Sequence, residues 1–218
     1  MKGKSYERFR VIAPYYDAGV KALGVLLGGE RGVRERVLDL LPVREGDHLL
    51  EVGCGTGTVT LMAASRVGRN GTVVGIDPSR EMLARAERKL SRANSPEVRL
   101  VEGAGAPLPF PDQSFDSVIF FLVLHEMAHE DRIDSLKEAL RILKPGGHLL
   151  VGELDRPPSA TGRALLRILL LVEEEEASDF LRRALPSVMR EGCGERIALV
   201  KRISFLGGLA QGVLYRKM

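Results

Sequence analysis

The chain of 218 residues is long enough for one domain with its own core, and its 44% hydrophobic and 28% charged residues are typical of a folded globular protein. Two cysteines cannot form a disulfide framework, which excludes a small disulfide-stapled scaffold. The formal net charge of +3 is too small to predict a nucleic-acid partner. The longest apolar run is too short to cross a bilayer and the charged start of the chain carries no export signal, so we expect a cytoplasmic protein without a transmembrane segment.

Residues 1–45 are predicted to form a helical lid over the rest of the molecule. Apolar residues at helical spacing predict a helix over Gly32–Leu41, which ends at Pro42. The mixed segment before it, Tyr6–Leu27, is expected to form one or two shorter helices.

Five apolar runs rich in valine, isoleucine and leucine alternate with helix-period segments over residues 46–155. Strands are predicted at His48–Val52, Thr72–Ile76, Val98–Glu102, Ser117–Leu122 and Gly147–Glu153. Helices between them are predicted at Thr58–Val67, Ser79–Ala93 and Arg132–Leu143. Nearly continuous apolar strands in β/α alternation indicate an α/β, doubly wound, mainly parallel sheet with helices on both faces.

Residues 156–195 are predicted to form a helical cap after the fifth strand. Arg163–Met189 has helical spacing and is interrupted by Pro186. The leucines of Arg163–Phe180 would pack on the sheet, on a second subunit in a homodimer, or around an apolar ligand. Two further strands, Arg196–Phe205 and Gly212–Arg216, are joined by a glycine-bearing link, so residues 196–218 are expected to add an antiparallel hairpin and complete seven strands in one domain, 1–218.

A glycine-rich loop ends the first strand and begins the first helix of the sheet. Gly53, Gly55 and Gly57 stand at alternate positions, where they allow a sharp turn and the close approach of a ligand. A ligand at this carboxyl edge would lie against the N-terminus of the next helix. The spacing G-x-G-x-G differs from the G-x-G-x-x-G of dinucleotide sites, and with Glu51 ahead of it the loop favours a zwitterionic head group.

Asp77 ends the second strand, twenty residues after Gly57. A carboxylate at this place can accept hydrogen bonds from both hydroxyls of a ribose. Because NAD enzymes use the same arrangement, an NAD-dependent oxidoreductase remains an alternative. A purely structural role at the start of the next helix, before Pro78 and Ser79, is the other interpretation of Asp77.

Four segments in this order resemble successive motifs of the class I S-adenosylmethionine-dependent methyltransferases. They are Leu49–Gly57, Gly75–Ser79, Leu108–Asp116 and Leu140–Gly147, and Phe9–Asp17 is similar to a motif of the branch that includes ubiquinone and menaquinone biosynthesis C-methyltransferases. The resemblance covers most of the chain and is weakest over Arg156–Glu195. It implies a Rossmann-like fold, S-adenosyl-L-methionine as cofactor, S-adenosyl-L-homocysteine as product, and methyl transfer to a small-molecule acceptor.

The same resemblance implies a set of cofactor-binding residues. They are Tyr16, Glu51, Gly53, Cys54, Gly55, Gly57, Asp77, Pro78, Met82, Ala104, Gly105 and Leu122. In this family the loop from Glu51 to Gly55 would line the methionine end of the cofactor and Asp77 would hold the ribose. Tyr16 would reach the cofactor carboxylate from the lid, and Met82 would lie near the adenine.

Ala104 is a departure from the family, which commonly has an acid after Gly103 to accept from the adenine amino group. The backbone N–H of Gly105 can still bond the ring, so one hydrogen bond worth about 1 kcal/mol is absent. With no definite base in the sequence either, a protein that binds the cofactor without catalysis remains a second alternative.

The run from His125 to His129 matches the H-E-x-x-H motif of zinc proteases. It follows an apolar run that we interpret as a strand, it has Arg132 in place of the glycine of the extended pattern, and no third ligand is evident, so we predict no metal site. In the family that the chain resembles, this strand end faces the transferred methyl group. His125 is therefore our candidate general base or substrate-orienting residue, with a loop histidine bonded to backbone as the alternative.

Glu153 and Asp155, around the end of the fifth strand, are two further acids on the presumed acceptor side. Either can bind a polar group of the acceptor. We favour the interpretation that both lie in solvent.

Overall fold

The computed structural model describes residues 30–93, 97–170 and 175–218 of the chain. The strands are β1 His48–Val52, β2 Thr72–Asp77, β3 Val98–Glu102, β4 Phe115–Phe121, β5 Leu143–Leu154, β6 Ile197–Phe205 and β7 Ala210–Lys217. The helices of these ranges are α1 Glu30–Leu38, α2 Thr58–Val67, α3 Arg80–Ala93, α4 His129–Ile142, α5 Ala160–Leu169, α6 Glu175–Arg183 and α7 Leu185–Cys193. None of them has the length and apolar character that a bilayer crossing requires.

The seven strands form one sheet in the order β3-β2-β1-β4-β5-β7-β6. The strands from β1 to β5 are parallel to one another, whereas β7 runs antiparallel to both of its neighbours, β5 and β6. The predicted doubly wound sheet with an antiparallel hairpin at its end is therefore confirmed. Because β1 lies between β2 and β4, the carboxyl ends of these three strands meet at one edge, where the chain order reverses and ligands bind in such folds.

Apolar cores cover both faces of the sheet. Leu50 and Val52 of β1 pack on the side of α4, where Leu136 is fully buried. Leu49 points to the other side and packs in the cluster that contains Val37 of α1. Consecutive residues of β1 thus bury opposite faces, which explains why its sequence is apolar without alternation.

Several elements end where long-range pairing places them rather than where the local pattern predicts. β2 extends to Asp77 because this residue pairs with Glu102 of β3. β5 begins at Leu143, four residues before the predicted Gly147, because Leu143 pairs with Phe115. The preceding helix, α4, correspondingly ends at Ile142 and begins at His129, earlier than predicted.

The described residues of the cap form three helices, and Pro186 does not interrupt any of them. It lies in the first turn of α7, where a missing backbone N–H removes no helical hydrogen bond. The chain breaks at Ala184 instead, which has a φ of 62°. Phe180 of α6 and Val188 of α7 are buried in the same core as β1, so this part of the cap is packed against the sheet.

Candidate functional site

A cleft opens at the edge where the carboxyl ends of β1, β2 and β4 meet. It contains about 960 Å³ of empty space, part of it open to solvent. The residues of the predicted cofactor set that line it are Glu51, Gly53, Cys54, Gly55, Asp77, Pro78, Met82, Gly105 and Leu122. The cleft therefore lies at the sheet edge where the glycine-rich loop predicted a ligand.

Four predicted site residues do not belong to this lining. Tyr16 lies outside the described residues. Gly57 is behind the loop, where an added Cβ would lie 2.8 Å from the Cβ of Ala86. Ala104 stands between two glycines of the lining, and His125 is not a lining residue although Glu126 beside it is.

The glycine loop uses its glycines for different purposes. Gly53 has a φ of +72°, and an added Cβ would overlap the Val123 side chain, so this glycine is needed for close packing. Gly55 has a φ of +52°, and an added Cβ would meet nothing within 4 Å. The space in front of Gly55 is the cleft itself, so a ligand can approach the loop backbone there.

Asp77 holds the loop and the next helix together. Its Oδ2 accepts from the N–H of Gly55 at 2.8 Å, and its Oδ1 accepts from the N–H of Ser79 at 2.8 Å. Burial raises the pKa of this carboxyl. Each carboxylate oxygen has a second lone pair, so the structural role of Asp77 leaves it able to accept hydroxyl groups of a ligand.

Glu51 is almost fully buried below the loop, with 2% of its surface exposed. Thr60 Oγ1 donates a hydrogen bond to its Oε2. Burial raises the pKa of Glu51 to about 8, and the nearby guanidinium of Arg34 opposes this rise. Burial thus favours the protonated form of Glu51 at neutral pH, and a cationic ligand would favour its ionisation.

Arg34 is a lining residue that the sequence analysis missed. It lies on α1, buried, with its guanidinium carbon 5.8 Å from the ring centre of Phe121. The apolar stripe of that helix predicts which face is inside, but no local pattern marks an arginine that turns inward with it.

The segment Leu122–Met127 forms one wall of the cleft, and we call it the rim. Leu122, Val123, Glu126 and Met127 line the cleft. Leu122 has a φ of +52°, which strains a leucine backbone, and its N–H donates to Gly152 O at 2.8 Å. This turn ends β4 one residue earlier than predicted and directs the rim across the loop.

His125 belongs to the rim but forms a buried pair on its other side. Its Nδ1 lies 2.6 Å from Oε1 of Glu153, and 6% of the residue is exposed. Glu153 lies within β5 and is fully buried, so the expectation that it lies in solvent was wrong. Asp155 accepts from Arg202 at 2.7 Å and is only partly buried.

The two histidines of the H-E-x-x-H motif have separate partners. His129 Nε2 lies 2.9 Å from Oε1 of Glu191, far from the Glu153 partner of His125. No group of three or more metal-ligating side chains occurs in residues 30–93, 97–170 and 175–218.

Comparisons with known proteins agree with this geometry. Residues 49–147 match a family described as a methyltransferase domain. The demethylmenaquinone methyltransferase of Lactobacillus johnsonii is 35% identical over 153 residues, which are 70% of this chain and 61% of that protein. The ubiquinone/menaquinone biosynthesis C-methyltransferase of Azotobacter vinelandii is 36% identical over 159 residues, 72% of this chain and 61% of that protein. The chain thus spans about three-fifths of the length of these curated relatives.

Among solved structures, a SAM-dependent methyltransferase from Aquifex aeolicus superposes with a TM-score of 0.65 at 19% sequence identity. The match covers 92% of this chain and 98% of that one. At this identity the likeness concerns the fold.

Proposed function

The chain belongs to the class I S-adenosylmethionine-dependent methyltransferases, and from this premise we propose that it transfers the methyl group of S-adenosylmethionine to a small-molecule acceptor. One observation carries the proposal. The carboxylate of Asp77 accepts hydrogen bonds from the N–H groups of Gly55 in the glycine loop and Ser79 before α3, at the edge where β1 and β2 end. Its oxygens have further lone pairs that can accept the hydroxyl groups of a ribose.

The charges of the cleft fit this cofactor. Among the described residues, three carboxyl side chains, those of Glu51, Asp77 and Glu126, line the cleft together with a single cationic side chain, Arg34. A ligand with an ammonium and a sulfonium group gains from such a surface, and its one carboxylate can lie toward the arginine. The pyrophosphate of NAD would face the same carboxyl groups, which disfavours the oxidoreductase alternative.

The predicted residues of the cleft lining divide by the part of the cofactor that they would hold. The Glu51–Gly55 stretch would hold the methionine end, Asp77 the ribose, and Pro78 with Met82 the adenine. The N–H of Gly105 would bond the ring, where Ala104 offers no side-chain acceptor. Tyr16 in the lid remains a prediction.

The bound cofactor supplies an electrophilic methyl group on a good leaving group. The chain has to align the acceptor behind that methyl group and exclude water, which accounts for much of the rate in such transfers. Where the acceptor has to lose a proton, we propose His125 as the base. Glu153 lies 2.6 Å from Nδ1 of this histidine and would fix the orientation of its ring.

The acceptor that we propose is a quinol-type ring with a largely apolar body. Two relatives are named as a demethylmenaquinone methyltransferase and a ubiquinone/menaquinone biosynthesis C-methyltransferase. The family match over residues 49–147 includes all lining residues of the cleft except Arg34. The apolar residues of the cap, which follows β5 at the same edge, would cover such a ring.

Calorimetry with S-adenosylhomocysteine and NADH, followed by transfer of a labelled methyl group, tests the proposal. We expect S-adenosylhomocysteine to bind, NADH not to bind, and label to pass from S-adenosylmethionine to demethylmenaquinol. Transfer only to other molecules of a cell extract would contradict the acceptor. Binding without transfer to any molecule would establish the non-catalytic alternative, and binding of NADH alone would establish the oxidoreductase.

A further inference from the structure

Arg132 on α4 is the largest fully buried side chain of the described residues. Its Nε donates to Leu124 O at 2.8 Å, and its Nη2 donates to Met127 O at 2.8 Å. Both carbonyl groups belong to the rim of the cofactor cleft. One guanidinium therefore holds the backbone of the rim at two points.

The same guanidinium contacts the cap from its other side. It donates to the backbone oxygen of Glu176 and to Oδ2 of Asp179, both at 3.4 Å, and its carbon lies 5.1 Å from the ring centre of Phe180. All three residues belong to α6. Arg132 is thus a direct polar connection between the cleft and the cap.

Burial of this charge is costly, which argues that the connection has a purpose beyond packing. Burial lowers the pKa of Arg132, while Asp179 and Glu153 act in the opposite direction. An apolar side chain of similar volume would fill the same space without the desolvation cost. Only the planar fork of an arginine, with five donors, can bind two carbonyl groups of the rim and still reach α6.

We propose that Arg132 is a positioning residue that couples occupancy of the cofactor cleft to the position of the cap. The inference rests on the proposed function. A cofactor that contacts Glu126 and Met127 reduces the motion of the rim. Because Arg132 binds both the rim and α6, the motion of α6 is then reduced as well. The acceptor then meets a formed cap only on the loaded protein, so the cofactor binds before the acceptor.

Arg141 provides a matched control on the same helix. Its guanidinium also donates to two backbone oxygens, those of Leu108 at 3.0 Å and Phe110 at 2.9 Å, and it pairs with Asp112 at 2.7 Å. These partners lie in the loop before β4 and none belongs to the cap. Its removal weakens a comparable anchor and leaves the proposed connection intact.

Hydrogen exchange of the full chain, with and without saturating S-adenosylhomocysteine, tests the coupling. In the unmodified protein we expect the ligand to slow exchange in residues 175–183 by about five- to tenfold, the size of an ordinary coupling between sites. R132M should lose this slowing while its rim amides remain protected by the ligand. R141M should retain the slowing in both regions.

The outcomes separate the inference from the proposed function. Slowing in residues 175–183 that persists in R132M, or that is absent from the unmodified protein although the ligand binds, would overturn the coupling alone. If no form of the protein binds S-adenosylhomocysteine, the proposed function fails and the inference with it. If R132M does not fold, D179A/F180L removes both side-chain contacts on the cap side and leaves only the backbone oxygen of Glu176, so most of the slowing should be lost; undiminished slowing in this variant would also overturn the coupling.

Discussion

The two halves of the sheet edge are built by different kinds of contact. On the side of β1–β3, Asp77 accepts from backbone groups of Gly55 and Ser79, 22 and two residues away. On the side of β4–β7, side chains meet across long stretches of chain: His125 and Glu153 are 28 residues apart, and Arg132 and Asp179 are 47 apart.

This difference shows how one fold can bind the same cofactor in many proteins while the acceptor differs between them. The β1–β3 half is made mainly from glycine geometry, backbone hydrogen bonds and the Thr60–Glu51 pair nine residues apart, so it depends on few positions and can keep one cofactor in many sequences. A half made from buried side-chain pairs changes with every substitution in it. We therefore expect the cap side to decide which acceptor is used.

The strongest test of the comparison is removal of Glu153 from the side-chain half. E153A leaves the Nδ1 of His125 and the N–H of Leu154 without their buried acceptor, so we expect a loss of about 4 kcal/mol in the free energy of unfolding. E153Q keeps one acceptor oxygen and should lose about half as much. Denaturant unfolding measures both, and a loss below 1 kcal/mol for E153A would contradict the importance of this pair.

The corresponding test in the backbone half is a single added methyl group in the loop. G53A places a Cβ against Val123 at a φ of +72°, and we expect a loss of about 3 kcal/mol in unfolding free energy. G55A has the left-handed backbone without the contact and should lose about 1 kcal/mol. Equal losses for the two variants would show that close packing does not distinguish these glycines.

Asp77 tests whether the backbone half binds the ligand as well as holding itself together. D77A should weaken S-adenosylhomocysteine binding by about 1.5 to 3 kcal/mol, because charge-assisted hydrogen bonds to the ribose are lost. D155A removes an acid outside the cleft lining and serves as the control. Calorimetry provides the measurement, and an unchanged affinity of D77A would contradict the ribose assignment.

Glu51 gives the backbone half a pH dependence with a defined sign. Its pKa of about 8 in the folded protein, against 4.5 ordinarily, means that the empty fold binds more protons than the unfolded chain between these values, so its stability falls as pH rises through them. A cationic ligand favours the ionised form, so binding releases a proton below pH 8 and should strengthen by up to about 1.4 kcal/mol per pH unit.

Calorimetric titration with S-adenosylmethionine at pH 7, in two buffers of different ionisation enthalpy, measures the number of protons released on binding. E51Q has no titratable group at this position and should release none. An unmodified protein that releases no proton would show that the charge of Glu51 does not change on binding.

The smallest effect concerns Ala104, where the family commonly has an acid. A104D should leave the affinity for S-adenosylhomocysteine unchanged or tighten it by about 1 kcal/mol, through one bond to the adenine amino group. A104N adds similar bulk without the charge and controls for size. A large loss of affinity in A104D alone would mean that the adenine lies elsewhere.

The same contrast determines how much the sequence could predict. The strands β1 to β5 were predictable because each carries a local apolar run, and the loop and Asp77 were predictable because glycine spacing and a strand-end acid are local signals. The burial of Glu153 and the inward turn of Arg34 were not predictable. Their positions depend on residues that are distant in the sequence, and the local hydrophobic pattern contains no information about such contacts.

The order of the strands has a consequence for how the chain is made. β7 separates β5 from β6 in the sheet, so during translation β6 leaves the ribosome before the strand that attaches it to the rest. Until residues 210–217 emerge, one side of β5 is an open edge with unpaired backbone groups, the kind of surface on which nascent chains associate wrongly. Synthesis of this protein therefore includes an interval in which a holding chaperone would have a defined strand to protect.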